Sequence, residues 1–272
     1  KNIISVINQK GGVGKTTTVI NLAAALAKKG KRVLVIDLDP QGNATTGLGK
    51  SNNDEKKNIY NLLIEKISLE EAIQESNIGG LDLICSNVNL SGLEVETANQ
   101  ANRAFILKEI IREKGKNSLA KYENIFIDCP PSLSLLTIMS LVTADELLVP
   151  LQAEFFALEG ITQLIKTIDR IKVNLNPDLV IRGILLTMYD KRNKLSSQVE
   201  KEAREYFKEK VYQTIIPRNV RLSEAPSHGM PCVIYDKVCL GSKSYFSLAD
   251  EFMSQKKSKI GSAAWVIEKR KV

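Results

Sequence analysis

Short apolar runs rich in β-branched residues recur along the chain, and between them apolar positions return every three or four residues. The runs cover residues 3–7, 33–36, 81–84, 125–127, 147–151, 180–187 and 211–216. Each has strand length and little polar alternation, the pattern of a strand covered on both faces. Helical spacing falls at about residues 16–29, 99–114, 135–143, 159–174 and 196–210. Strands alternating with helices predict an α/β fold: a doubly wound, mainly parallel sheet with helices on both faces. No internal repeat or low-complexity linker interrupts the alternation. Residues 1–254 therefore read as one domain and residues 255–272 as a basic C-terminal tail.

The chain has 272 residues and 43% apolar content, enough for one large α/β core. No run approaches the roughly 18 apolar residues a membrane span needs, and the strand pattern begins at once, so neither an anchor nor a signal peptide is expected. Cys85, Cys129, Cys232 and Cys239 form no C-x-x-C pair and read as reduced thiols of a cytoplasmic protein. The net charge of +7 is compatible with a polyanionic partner without identifying one.

The first apolar run leads into Lys10-Gly11-Gly12-Val13-Gly14-Lys15-Thr16-Thr17, and that run into a helical pattern. Strand, glycine loop and helix is the context of a phosphate-binding loop. Glycines let backbone N–H groups turn inward around phosphate oxygens, and the helix N-terminus adds partial positive charge. Lys15 is placed for the β- and γ-phosphates and the Thr16 hydroxyl for Mg²⁺. The loop departs from the general pattern at Gln9, where a glycine is usual, and carries a second lysine, Lys10. A lysine there cannot easily fold back onto phosphates wrapped by its own loop, but it can reach those of a facing subunit.

The second strand runs out through Asp37-Leu38-Asp39-Pro40. Both carboxylates leave the edge at which open α/β sheets bind ligands. Asp39 is the better candidate to orient or deprotonate water, and Asp37 to hold the metal shell or Lys15. The run at 125–127 ends in Asp128, the pattern of a carboxylate that reaches Mg²⁺, often through water. His228, the one histidine, lies in a Pro/Gly loop and is assigned no catalytic role.

The two-lysine loop resembles the deviant Walker A ATPases, which include the ParA, MinD and nitrogenase iron proteins. Together with Asp37-Leu38-Asp39-Pro40-Gln41-Gly42-Asn43, Asp128-Cys129-Pro130-Pro131-Ser132-Leu133, Ala157-Leu158-Glu159-Gly160 and the stretch from Ile216-Pro217-Arg218-Asn219 to His228-Gly229, it resembles the chromosome-type ParA proteins, also called Soj, over about residues 1–252. The resemblance implies a Mg²⁺-dependent ATPase that partitions DNA. ATP closes two subunits into a sandwich in which Lys10 crosses to the partner, and the homodimer binds double-stranded DNA without sequence preference. A ParB-type centromere-binding protein stimulates hydrolysis to ADP, and the ATP form associates with the nucleoid. It also implies an adenine pocket at Met188, Pro217 and Asn219, and DNA contacts at Arg192 and Arg221. Guanidinium groups suit phosphates and carry no base readout.

Three alternatives stand beside this reading. A MinD-like membrane-cycling ATPase needs an amphipathic C-terminal helix. The tail offers only Trp265, Val266 and Ile267 as a compact apolar group, so no stable membrane association is expected. An iron–sulfur carrier needs converging cysteines that the spacing does not suggest. A non-catalytic nucleotide-dependent scaffold would leave Asp39 without a task.

Overall fold

A computed structural model describes residues 1–154 and 157–255. Of the tail assigned to 255–272, only Gln255 falls within it; Trp265, Val266 and Ile267 lie outside the described residues. Seven strands form one sheet: β1 (Asn2–Val6), β2 (Val33–Asp37), β3 (Ile73–Glu75), β4 (Leu81–Ile84), β5 (Asn124–Asp128), β6 (Glu146–Gln152) and β7 (Val180–Thr187). Their spatial order is β3-β4-β2-β5-β1-β6-β7. All neighbours are parallel except β3 and β4. The antiparallel edge strand β3 was not legible beforehand: it is three residues long, with Ile73 its sole apolar residue.

The uniform apolarity of the runs follows from burial on both faces. Ile3, Leu34, Ile36, Ile125, Ile127 and Leu147 face one core, with the helices Leu135–Thr143 and Ala157–Asn174. Their alternating neighbours Ile4, Val33, Val35, Phe126 and Leu148 face the other, with the helices Lys15–Lys28 and Leu240–Ser254. The helix Leu240–Ser254 was not expected, although Tyr245, Leu248, Ala249 and Phe252 are buried at the i, i+3, i+4, i+7 spacing of one helix face. Among the described residues, no helix is long and apolar enough to cross a membrane.

Two expected elements take other forms. Residues 211–216 run beside β7 but join it through isolated bridges, Ile184 with Val211 and Tyr189 with Pro217. The Tyr212 and Ile216 N–H groups donate to Ile184 and Leu186 carbonyls at 2.9 Å each. Between them the N–H groups of Gln213 and Thr214 donate instead to the Glu251 carboxylate, at 2.7 and 2.8 Å. That side chain takes the donors a regular strand would need. The helix expected at 99–114 is a 3₁₀ turn at Arg103–Phe105, one short α segment at Ile106–Lys108 and a π-helical stretch at Glu109–Lys114. Within the wide stretch, Arg112 turns out to donate to the Thr143 carbonyl and to Asp145.

Candidate phosphate-binding site

β1 is an interior strand, and the loop that follows it opens at the carboxyl edge of the parallel strands, between the ends of β5 and β6. Gly12 and Gly14 have φ of +75° and +88°, backbone that glycine adopts without a Cβ clash. Gly14 caps the helix that starts at Lys15. Val13 is buried, and its carbonyl accepts from the Thr187 hydroxyl at 2.8 Å, tying the loop to the end of β7. Thr17 lies in the first turn of the helix and Gly11 at the exposed tip of the loop.

The two lysines point in different directions. Lys15 is 7% exposed and its Nζ donates to the Lys10 carbonyl at 3.0 Å. Burial lowers its pKa, opposed by the charges of Asp128, Cys129 and Asp39. Lys10 keeps its ammonium outside the loop, half-exposed, in an ion pair with Glu154 just beyond β6. Asn8 holds the turn, accepting from the Lys10 N–H and donating to the Pro150 carbonyl.

Three carboxylates converge on the same edge. Asp37 and Asp128 are register partners at the ends of β2 and β5. The Thr16 hydroxyl donates to Asp128 Oδ2 at 2.7 Å, whereas Asp128 Oδ1 is buried with no partner among the described residues. Burial, then the neighbouring Asp37, raises the Asp128 carboxyl well above the usual carboxylate range. A buried carboxylate oxygen beside a threonine hydroxyl and a second carboxylate is a hard-oxygen donor set that suits Mg²⁺. Asp37 is pushed up to about 6 by burial, against hydrogen bonds from the Thr45 side chain, the Thr45 N–H and the Asp39 N–H. Its two oxygens are thus already engaged in anchoring the segment after β2, and Lys15 feels Asp128 and Asp39 rather than Asp37. Asp39 is buried and accepts from the Gln41 N–H at 3.0 Å through one oxygen.

Met188, Pro217 and Asn219 line one pocket of about 150 Å³ that opens onto Gly14 and Thr17 of the loop. Met188 sits there with φ +50°, rare for a side-chain-bearing residue. Asn219 Oδ1 caps the helix Val220–Glu224 by accepting from the Arg221 N–H, which leaves its NH₂ to donate. Tyr245, from the unforeseen helix, completes the pocket floor. Sequence reasoning missed Tyr245 and Glu154; the apolar spacing at 245–252 was the available signal for the first, and none existed for the second.

The two arginines implied as DNA contacts have separate ion-pair partners. Arg192 follows β7, bound in a fork to Asp190 at 3.0 and 2.9 Å, and this pairing holds the Asp190 carboxyl down to about 2. It lines a cleft of about 560 Å³ together with Lys191 and Arg218. Arg221 does not line that cleft; it pairs with Glu224 at 2.6 Å and lies 3.5 Å from Asp236. His228 stacks on Tyr235, their centroids 4.9 Å apart.

A parallel sheet, a glycine loop with two lysines and carboxylates at the ends of β2 and β5 define a P-loop ATPase of the deviant Walker A kind. A family profile described as "AAA domain" matches residues 1–181. The chain is 48% identical over 262 residues to the chromosome partitioning protein ParA of Caulobacter vibrioides strain NA1000 / CB15N, covering 96% of this chain and 97% of that one. It is 47% identical over 249 residues to the sporulation initiation inhibitor protein Soj of Bacillus subtilis, covering 92% and 97%. Among solved structures, a cobyrinic acid a,c-diamide synthase of Mycobacterium smegmatis with bound ATP analogue and magnesium superposes with a TM-score of 0.83 at 32% identity, covering 95% and 96%. The chain belongs to the ParA/Soj family of chromosome-partitioning proteins.

Proposed function

We propose that this ATPase is a DNA-partitioning switch in which ATP closes two subunits and the closed dimer holds DNA. The observation that carries the reading is the meeting, at one sheet edge, of Lys15, Thr16, Asp39 and an Asp128 oxygen that has no partner among the described residues. Lys15 and the loop N–H groups bind the β- and γ-phosphates. Thr16 and Asp128 hold Mg²⁺, and Asp37 adds its charge from behind while fixing Thr45. Magnesium, when bound, neutralises charge on the phosphate oxygens as the γ-phosphate leaves. The remaining oxygen of Asp39 orients the attacking water and takes its proton. Met188, Pro217 and Asn219 bind the adenine.

Lys10 exchanges Glu154 for the phosphates of the facing subunit. The exchange is energetically reasonable. A half-exposed ion pair contributes about 0–1 kcal/mol, whereas a charge-assisted hydrogen bond contributes about 1.5–3 kcal/mol. Arg192 and Arg221, each present twice in a dimer, contact DNA phosphates without reading bases. A ParB-type protein stimulates hydrolysis and so releases the DNA, which places the ATP form on the nucleoid in the cytoplasm. The family membership and the ADP, ATP-analogue and magnesium ligands of the superposing structures support this reading.

The test is DNA binding to two unrelated duplexes with ATP, with ADP and without nucleotide, alongside light scattering for dimers and phosphate release with and without a ParB-type protein. Dimerisation and sequence-independent binding with ATP alone are expected. Equal binding in all three states would separate DNA from the nucleotide cycle and overturn the switch.

A further inference from the structure

Outside the nucleotide site, two thiols lie together. Cys232 opens the short helix Cys232–Tyr235, and Cys239 caps the helix Leu240–Ser254 by accepting from the Ser242 N–H at 3.4 Å. Their Sγ atoms are 3.5 Å apart. The Ser242 hydroxyl bridges them, accepting from Cys239 at 3.4 Å and donating to Cys232 at 3.3 Å. The turn between them is held by Asp236, which accepts from the Val238 and Cys239 N–H groups at 3.1 Å each. Cys232 is buried and Cys239 half-buried, so Cys239 is the more accessible residue of the pair. Cys85 and Cys129 are both buried, the latter among the Ser5 and Ser140 hydroxyls.

We propose that Cys232 and Cys239 form a redox modification site, a dithiol that low-molecular-weight disulfides of the glutathione type convert reversibly to an internal disulfide. The Cys239 thiolate attacks one sulfur of the oxidant, RSSR, forming a mixed disulfide and expelling RS⁻, which takes up the proton Cys239 lost. Cys232 then gives up its proton, and its thiolate attacks Cys239 Sγ, breaking the mixed disulfide. The second RS⁻ leaves and is protonated. Two protein thiols are oxidised to one disulfide, and RSSR is reduced to two RSH. Access sets the order of attack. Burial also pushes the Cys232 thiol up to about 12, which makes it the poorer first nucleophile and leaves it the second step, where the Ser242 hydroxyl can stabilise its thiolate.

The bond would close over the turn that carries Asp236, the residue 3.5 Å from Arg221. Oxidation therefore fixes Asp236 against that arginine and weakens DNA binding several-fold, a consequence that rests on the DNA reading above. The chemical part does not rest on it.

The test treats the native full-length chain, and its Cys232→Ser and Cys239→Ser variants, with oxidised glutathione, followed by non-reducing peptide mapping. Serine is itself a good helix cap, so Cys239→Ser keeps the fold. The expected result is loss of two of the four thiols, a link between Cys232 and Cys239 within one chain, its reversal by a dithiol reductant, and its absence from both variants. Links between chains, a stable glutathione adduct on Cys239, or reaction only in denaturant would overturn the site. A link formed with DNA affinity unchanged would overturn the regulatory consequence. A link formed in a protein that binds DNA in neither redox state would leave the site standing and fail the DNA reading alone.

Discussion

Lys10 and Lys15 lie five residues apart in one loop and carry the same ammonium group, yet the backbone gives them opposite tasks. Lys15 begins the helix and is folded under the loop, close to Asp128 and Asp39. Its substitution by alanine removes a charged donor worth about 1.5–3 kcal/mol, so ATP affinity in an equilibrium titration should fall at least about tenfold. Lys10 stands outside, where its ammonium pairs with Glu154. Lys10→Ala should keep nucleotide binding by the monomer while ATP-dependent dimerisation and phosphate release are lost; a variant that dimerises and turns over normally would refute the cross-subunit role. Asp39→Ala should behave differently again. One Asp39 oxygen is held by the Gln41 N–H, and the other is the proposed base. Its loss should lower kcat about 10²- to 10⁴-fold, leave ATP affinity within a few-fold, and let the dimer accumulate, which single-turnover kinetics would separate from a binding defect.

At the scale of elements, the two glycines beside Lys10 distinguish folding from assembly. Among the described residues a Cβ on Gly11 would meet Pro131, at an ordinary 3.9 Å, and Gly11 does not have positive φ. Gly11→Val should therefore fold and melt within a degree or two of the parent, bind nucleotide, and fail to dimerise, because the added bulk projects from the loop tip. Gly12 has open space but φ of +75°. Gly12→Val should cost about 1–2 kcal/mol in denaturant unfolding through backbone strain. Comparable dimerisation of Gly11→Val and parent in light scattering would count against facing loops. The glycine loop, the strand that feeds it and the carboxylates of β2 and β5 were legible in the sequence because each is local: an apolar run, a spacing, a polar residue at a run's end. What was not legible depends on partners far along the chain. The segment 211–216 has the composition of a strand and is diverted by Glu251, some forty residues on. Likewise Asp37, read as holding the metal shell or Lys15, also accepts from the Thr45 N–H and hydroxyl, a tie that no local pattern announces.

At the scale of the whole molecule, both arginines implied in DNA binding already have carboxylate partners. Asp190 holds Arg192, and Glu224 and Asp236 hold Arg221. Reversing either arginine leaves those carboxylates unpaired and turns an attractive site repulsive. Arg192→Glu and Arg221→Glu should each weaken ATP-dependent DNA binding equally on two unrelated duplexes and reduce the salt dependence of affinity, with dimerisation intact. Unchanged affinity in both would move the DNA surface elsewhere on the molecule. The pairing explains why the formal charge of +7 was a weak guide: it counts charges without saying which are already neutralised. The sheet order has one further consequence, for the time at which the site comes into being. The strand that launches the phosphate loop sits between β5 and β6, so Asn2–Val6 bonds to Asn124–Asp128 on one side and to residues from Glu146 on the other. During synthesis it must wait for more than a hundred later residues before gaining either neighbour. Such distant pairing makes for slow folding and leaves an apolar strand exposed in the nascent chain. Nucleotide capture by a growing polypeptide should accordingly be absent from every nascent chain too short to have released β5 and β6 from the ribosome.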